Sequence, residues 1–84
     1  MRQQTTVVSK SFAAAASFEA DPARQYMMIV VESGSATLSL GGGDPFTITG
    51  FYEPLLPPIN EFTLTPVGGT VVLITNQSTL NKQV

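Results

Sequence analysis

The sequence predicts an all-β fold, a small antiparallel β-sandwich or barrel of about seven short strands. Three observations point there. Apolar and polar residues alternate with a period of two along most of the chain. Two short runs, residues 26–31 and 71–74, are apolar at every position and rich in β-branched side chains. Glycine and proline turn signals separate these segments at regular intervals.

Taken in order, residues 1–11 form an N-terminal arm or a first strand, in which Val7 and Val8 are the apolar candidates for an interface. Residues 12–18 are alanine-rich, which favours helix, but Phe12, Ala14, Ala16 and Phe18 share a face only in an extended chain. Strand is the favoured reading. Asp21-Pro22-Ala23 is a short turn in which Asp21 can cap and Pro22 fits the next position. The run Tyr26-Met27-Met28-Ile29-Val30-Val31 then reads as a central strand covered on both faces. Ser33-Gly34-Ser35 makes a tight hairpin into a strand where Ala36, Leu38 and Leu40 alternate with Ser35, Thr37 and Ser39. Gly41-Gly42-Gly43-Asp44-Pro45 is a loop, and Phe46 and Ile48 alternate with threonines after it. Pro54, Pro57 and Pro58 keep their segment out of any central strand. Phe62 and Leu64 alternate with Glu61, Thr63 and Thr65, and Gly68-Gly69 turns the chain into Val71-Val72-Leu73-Ile74, a second strand covered on both sides. Residues 12–76 thus form one domain, and the polar residues 77–84 are expected to be a frayed tail.

Composition narrows the function. A chain of 84 residues buries only roughly 60% of its unfolded surface. Small domains recover stability through disulfides, a structural metal or oligomerisation. With no cysteine and no histidine, disulfides and ordinary transition-metal sites are excluded, which leaves self-association or docking. Charged residues make up 12% of the chain, about half the usual share, which suits a surface that is partly covered. The four basic residues, Arg2, Lys10, Arg24 and Lys82, are scattered, so no nucleic-acid partner is expected. The longest apolar run is far too short for a membrane span. Ala13-Ala14-Ala15-Ala16-Ser17 resembles a cleavage site, but Ser9, Lys10 and Ser11 interrupt the apolar region a signal peptide needs.

Chemistry is absent at the level of residue types. Without histidine or cysteine there is no Ser–His triad, thiol nucleophile or imidazole metal site. Gly41-Gly42-Gly43 lacks the Lys-Ser/Thr and helix of a phosphate loop. Glu53 and Glu61 flank the proline segment and form the one carboxylate pair to weigh for glycoside hydrolysis, but so small a sandwich leaves little room for a sugar cleft. Asp21 and Asp44 read as turn residues, and Arg24 as the partner of Glu19, Asp21 or a carboxylate on another chain. No enzyme activity and no cofactor is expected.

The informative segment is Phe51-Tyr52-Glu53-Pro54-Leu55-Leu56-Pro57-Pro58-Ile59. It is apolar, aromatic and stiffened by proline, so it loses little entropy on docking. Two uses compete: Phe51, Leu55, Leu56 and Ile59 can plug one end of the sandwich, or Tyr52 and the leucines can face a neighbour. Phe51, Tyr52, Pro54, Leu55, Leu56, Pro57 and Pro58, with Val7, Val8 and Arg24, are the candidate interface residues.

From about Asp21 to Asn76 the chain resembles small virion proteins of tailed bacteriophages. Asp21-Pro22-Ala23-Arg24 is similar to their Asn-Pro-Ala-Arg turn before an apolar strand, and Ser33-Gly34-Ser35 to the small polar turn that follows. Gly50-Phe51-Tyr52-Glu53-Pro54 and Gly69-Thr70-Val71-Val72 resemble a Gly-aromatic-Tyr-Glu segment and a closing strand. Asp21 in place of Asn and the insertion at Gly41-Gly42-Gly43 depart from the pattern, both in loops. The resemblance implies a capsid decoration (cement) protein that stabilises the head by binding the major capsid protein or another virion protein. It implies a homo-oligomer, often a trimer, made in the host bacterial cytoplasm, with residues 1–11 as an arm to the shell. A tail or fibre component, or a glycan-binding module, is the alternative.

Overall fold

A computed structural model describes residues 6–84. Eight strands and one short helix follow in order: β1 (Val7–Phe12), β2 (Ala16–Phe18), β3 (Met27–Val31), β4 (Ser35–Leu40), β5 (Phe46–Ile48), β6 (Phe51–Tyr52), β7 (Phe62–Val67), β8 (Val71–Asn76) and α1 (Gln77–Leu80). They form two four-stranded sheets, the first in the order β1-β8-β3-β6 and the second in the order β2-β7-β4-β5, with antiparallel pairing. The expected small all-β sandwich is the observed fold. The two fully apolar runs are the inner pair of the first sheet, β8 and β3.

The sheets meet over one core. The first sheet contributes Phe12, Met27, Ile29, Val71 and Leu73, and the second contributes Ala16, Phe18, Ala36, Leu38, Ile48, Phe62 and Leu64. Three rings tie the layers together. Phe12 meets Phe18 edge-on at 5.8 Å, and Phe18 stacks on Phe62 at 4.8 Å. Offset and edge contacts of this kind add to the burial of the rings themselves.

Residues 12–18 are extended at both ends and bend in the middle. β1 ends at Phe12, an exposed corner carries the chain across, and β2 starts at Ala16 in the other sheet. Phe12, Ala16 and Phe18 are buried as the alternation requires, but Ala14 is exposed, because a corner has no sheet face to cover it. The brief pairing of Phe51 and Tyr52 with β3 supplies one further strand beyond the separate segments that alternation marks.

The C-terminal residues correct the expectation of a frayed tail. Gln77–Leu80 is helical, Thr79 is fully buried and Leu80 packs on the core. The amide of Glu19 donates to the Lys82 carbonyl, the amide of Val84 donates to the Ser17 carbonyl, and Gln83 bridges to Phe18. This tail covers the edge of β2, which would otherwise leave backbone groups open to pairing. Residues 6–12 follow the first-strand alternative rather than a detached arm: Val7–Phe12 pairs with β8 along its full length. The rest of the proposed arm, residues 1–5, lies outside the described residues.

Register sorts the outward side chains into two unlike faces. On the second sheet, Ser17, Thr63 and Ser39 line up across three strands, as do Thr65, Thr37 and Thr47. On the first sheet, Val72, Val30 and Phe51 align in one row and Ile74 and Met28 in the next. The outer face of the second sheet is an ordinary wet face, and that of the first sheet is apolar along these rows.

Candidate functional site

A buried polar node positions the proline segment. The turn at residues 21–24, the N-terminal turn of α1 and the end of the loop at residues 58–60 converge on Asp21 and Arg24. Both side chains are almost fully buried, at 1% and 3% exposure. Asp21 accepts hydrogen bonds from the Ala23 amide at 3.0 Å, the Ser78 hydroxyl at 2.6 Å and the Thr79 hydroxyl at 2.9 Å. Arg24 donates through Nε to Thr79 Oγ1 at 3.0 Å, and through its terminal nitrogens to the carbonyls of Pro58, Asn60 and Glu19. Its guanidinium also lies 4.9 Å from the Phe62 ring centroid. Thr79 therefore links the two charged groups, its hydroxyl accepting from Arg24 while donating to Asp21. Burial pushes the Asp21 carboxyl up, but the hydrogen bonds from Ser78, Thr79 and Ala23, with the charge on Arg24, outweigh it and hold the group below the ordinary carboxylate value. Burial lowers the Arg24 value, and the Asp21 charge opposes that shift.

Arg24 is thus not an interface residue, which corrects the reading from sequence. Its guanidinium is used within the chain because the loop ends in carbonyls that only a multidentate donor can satisfy together. The Asp21 amide adds a bond to the Ile59 carbonyl at 2.9 Å. The far end of the loop is fixed by β6.

Between these anchors the loop stands out from the sandwich. Leu55 is 96% exposed and Leu56 is 85% exposed, and Ile59 is also exposed. Pro54, Pro57 and Pro58 are half-buried and stiffen the base. The alternative in which Phe51, Leu55, Leu56 and Ile59 plug the core does not hold, since all four are exposed. The roles of the two aromatics are exchanged relative to expectation. Tyr52, opposite Ile29, turns inward against the core and meets the Phe46 ring at 5.6 Å. Phe51, opposite Val30, turns outward. Val7 is exposed on the edge strand, and Val8 is half-buried on its inner side. Leu55, Leu56 and Ile59 thus form one apolar projection, while Phe51 belongs to the outer face of the first sheet.

That outer face was not singled out by sequence. Met28, Val30, Val72 and Ile74 are half-buried there, and the Tyr26 hydroxyl reaches the Met28 sulfur at 3.4 Å. The signal was present in the unbroken apolar runs, which had implied cover on both sides. The second cover is not supplied by this chain's described residues.

Glu53 and Glu61, the pair weighed from sequence, have separate surroundings. The Glu53 carboxylate accepts from the Tyr26 hydroxyl at 2.8 Å, a bond that raises the Tyr26 value. Glu61 instead lines a shallow hollow with Glu19, Ser17, Ser39 and Thr63 on the second sheet. Among the described residues no group of three His, Cys, Asp or Glu side chains could hold a metal, and every buried side-chain polar atom has a partner. Comparison with protein-family models, with curated proteins and with solved structures finds no match.

Proposed function

We propose that this chain is a non-enzymatic structural protein that docks onto a larger assembly through its proline loop. The observation that carries the reading is the pair Leu55 and Leu56, 96% and 85% exposed on a loop fastened at both ends. Two leucines held out in water by a rigid frame have most of their ordering cost already met, so their burial against a partner goes largely into affinity. Full burial is worth about 2 kcal/mol per leucine. The resemblance to tailed-phage virion proteins supplies the assembly: a bacteriophage head, with the chain as a decoration protein that bridges capsid subunits after synthesis in the host cytoplasm. A glycan-binding module would present an aromatic platform, whereas here the projecting loop is aliphatic.

The test is the composition of purified particles from the phage that carries this gene. Quantitative mass spectrometry is expected to find the chain in proportion to the major shell protein. A few copies per particle would move it to the tail, and its absence from particles would overturn the virion reading.

A further inference from the structure

We propose that the site which receives the Leu55–Leu56 projection is an apolar pocket on a partner protein, rimmed by lysine or arginine side chains. The inference rests on docking through the loop and adds the chemistry of the surface that is docked upon.

The shape of the tip calls for a pocket. The chain bends at Leu55 and Leu56, and both side chains stand almost fully in water. Successive side chains on a bend leave in different directions, so a flat surface covers one of them at a time. A concave wall covers both. Pro54 and Pro57 on either side hold the tip in the shape that enters it.

The fold gathers negative charge around the base of that tip. Strand register brings Glu19, Asp44, Glu53 and Glu61 to the end of the sandwich that carries the loop. Glu53 starts the loop directly after Tyr52, and the Tyr26 hydroxyl donates to its carboxylate at 2.8 Å. Glu61 closes the loop just before Phe62, and its carbonyl accepts from the Gly41 amide at 2.7 Å. That bond sets the β4–β5 turn, with Asp44, beside the loop. Glu19 follows the Phe18–Phe62 pair and so lies next to Glu61. Glu19, Asp44, Glu53 and Glu61 are all exposed.

Cations do little to offset them. Arg24, beneath the loop, is buried, uses its donors on Thr79 and on carbonyls, and has Asp21 as its counter-charge. Lys82 is half-buried on the tail, and its carbonyl takes the Glu19 amide, so its charge falls beside Glu19. Lys10 extends to Gln83 on the β1 side, and Glu32 sits at the opposite end of the strands, bonded to Thr70. Arg2 lies outside the described residues. Asp44, Glu53 and Glu61 therefore surround the loop with no ion pair among the described residues to neutralise them.

A ring of like charge about an apolar tip selects among partners. It guides approach to a surface of opposite sign and penalises surfaces of the same sign. An anionic membrane is disfavoured, because tips that enter lipid carry lysine or arginine at their rim. A second copy of the chain fits no better. Its described lysines are Lys10 and Lys82, and the hollow on its second sheet is lined by Glu19 and Glu61, which repel the carboxylates of the loop.

Association of the chain with immobilised phage particles that lack it, followed by biolayer interferometry, tests this. From about 0.01 M to about 0.15 M salt the screening length falls from about 30 Å to about 8 Å, and the wild-type association rate is expected to fall about tenfold. The Glu53→Gln, Glu61→Gln double variant is expected to associate about fivefold more slowly than wild type at the lower salt and to lose most of the salt dependence, with a dissociation rate within about twofold of wild type. Glutamine keeps an acceptor for the Tyr26 hydroxyl, and circular dichroism checks that the fold persists. Charge reversal, Glu53→Lys with Glu61→Lys, is expected to slow association by about a further tenfold. Equal rates for wild type and both charge variants across the salt series, with binding still lost in the Leu55→Ser, Leu56→Ser variant, would overturn the basic rim and leave docking through the loop in place. Undiminished binding by the leucine variant, or no binding by wild type, would remove docking and this inference with it. Flotation with phosphatidylcholine or phosphatidylglycerol vesicles is expected to leave the chain unbound, and binding there would put the tip in lipid and overturn the protein pocket. Sedimentation velocity of the free chain is expected to show no self-association that the leucine variant abolishes, and such association would make a second copy the occupant and overturn it equally.

Discussion

Arg24 and Asp21 are the residues on which the loop depends. Arg24 is buried and spends its donors on Thr79 and on three carbonyls, two of them in the loop. Arg24→Met removes those donors and leaves Asp21 buried beside no cation. A buried polar group left without its partner costs about 1–3 kcal/mol, so with Thr79 and the loop carbonyls losing their donor, urea unfolding of the variant is expected to show a loss of at least that size. Hydrogen exchange at the Asp21 amide, which bonds the Ile59 carbonyl, is expected to accelerate with it. Asp21 adds a pH dependence with a definite sign. Its folded value is held below the ordinary 3.8, so its contribution is complete above that value and is lost as pH falls through the folded one. The stability advantage of wild type over Asp21→Asn is therefore expected to be constant at neutral pH and to narrow in acid, as read by denaturant titrations across that range. An advantage that stayed level into strong acid would contradict the hydrogen-bonded carboxylate.

At the scale of elements, the strands were legible where burial has a strict period and less so where the chain changes layers. Alternation located β4, β5 and β7 because each has one wet face, and the unbroken runs located β3 and β8. The corner after Phe12 was not visible, since alanine suits a strand, a helix or a bend alike. Pro66 within β7 looks like an exception to the rule that proline avoids central strands. β2 pairs only with Phe62 to Leu64, however, so β7 is locally an edge at Pro66. The site was half legible. The stiffness and exposure of residues 54–58 follow from proline and leucine in sequence, but which of Phe51 and Tyr52 turns outward is set by register, and one residue of slip reverses it. The role of Arg24 depends on carbonyls far away in sequence and could not be read locally. Turn chemistry gives a sharper test. Gly34 has φ of 74°, and a Cβ there would lie 2.3 Å from the Val67 carbonyl oxygen. Gly42 has φ of 76° with nothing near its missing Cβ. Gly42→Ala is expected to cost about 1–2 kcal/mol from conformation alone, and Gly34→Ala clearly more, because the β3–β4 turn must also move off the β7–β8 turn. Equal melting temperatures for the two variants would contradict this packing.

At the scale of the whole molecule, the domain needs its C-terminus. Residues 77–84 supply the Ser78 and Thr79 donors to Asp21, the Leu80 side chain to the core and the cover for the β2 edge. A chain ended after Asn76 is expected to lose cooperative thermal unfolding, and a truncated chain that melts like the full one would contradict the placement of the tail. The described residues then present two apolar surfaces on one small frame, a loop that projects and a sheet face that lies flat. A domain with few charges and a small core gains stability when such surfaces are covered. Docking through the loop is the central claim, and binding of the purified chain to phage particles that lack it tests this most directly. Wild type is expected to cosediment saturably, and the Leu55→Ser, Leu56→Ser double variant to bind more than tenfold more weakly while its melting temperature stays unchanged. Equal binding by the two proteins would contradict docking through this loop.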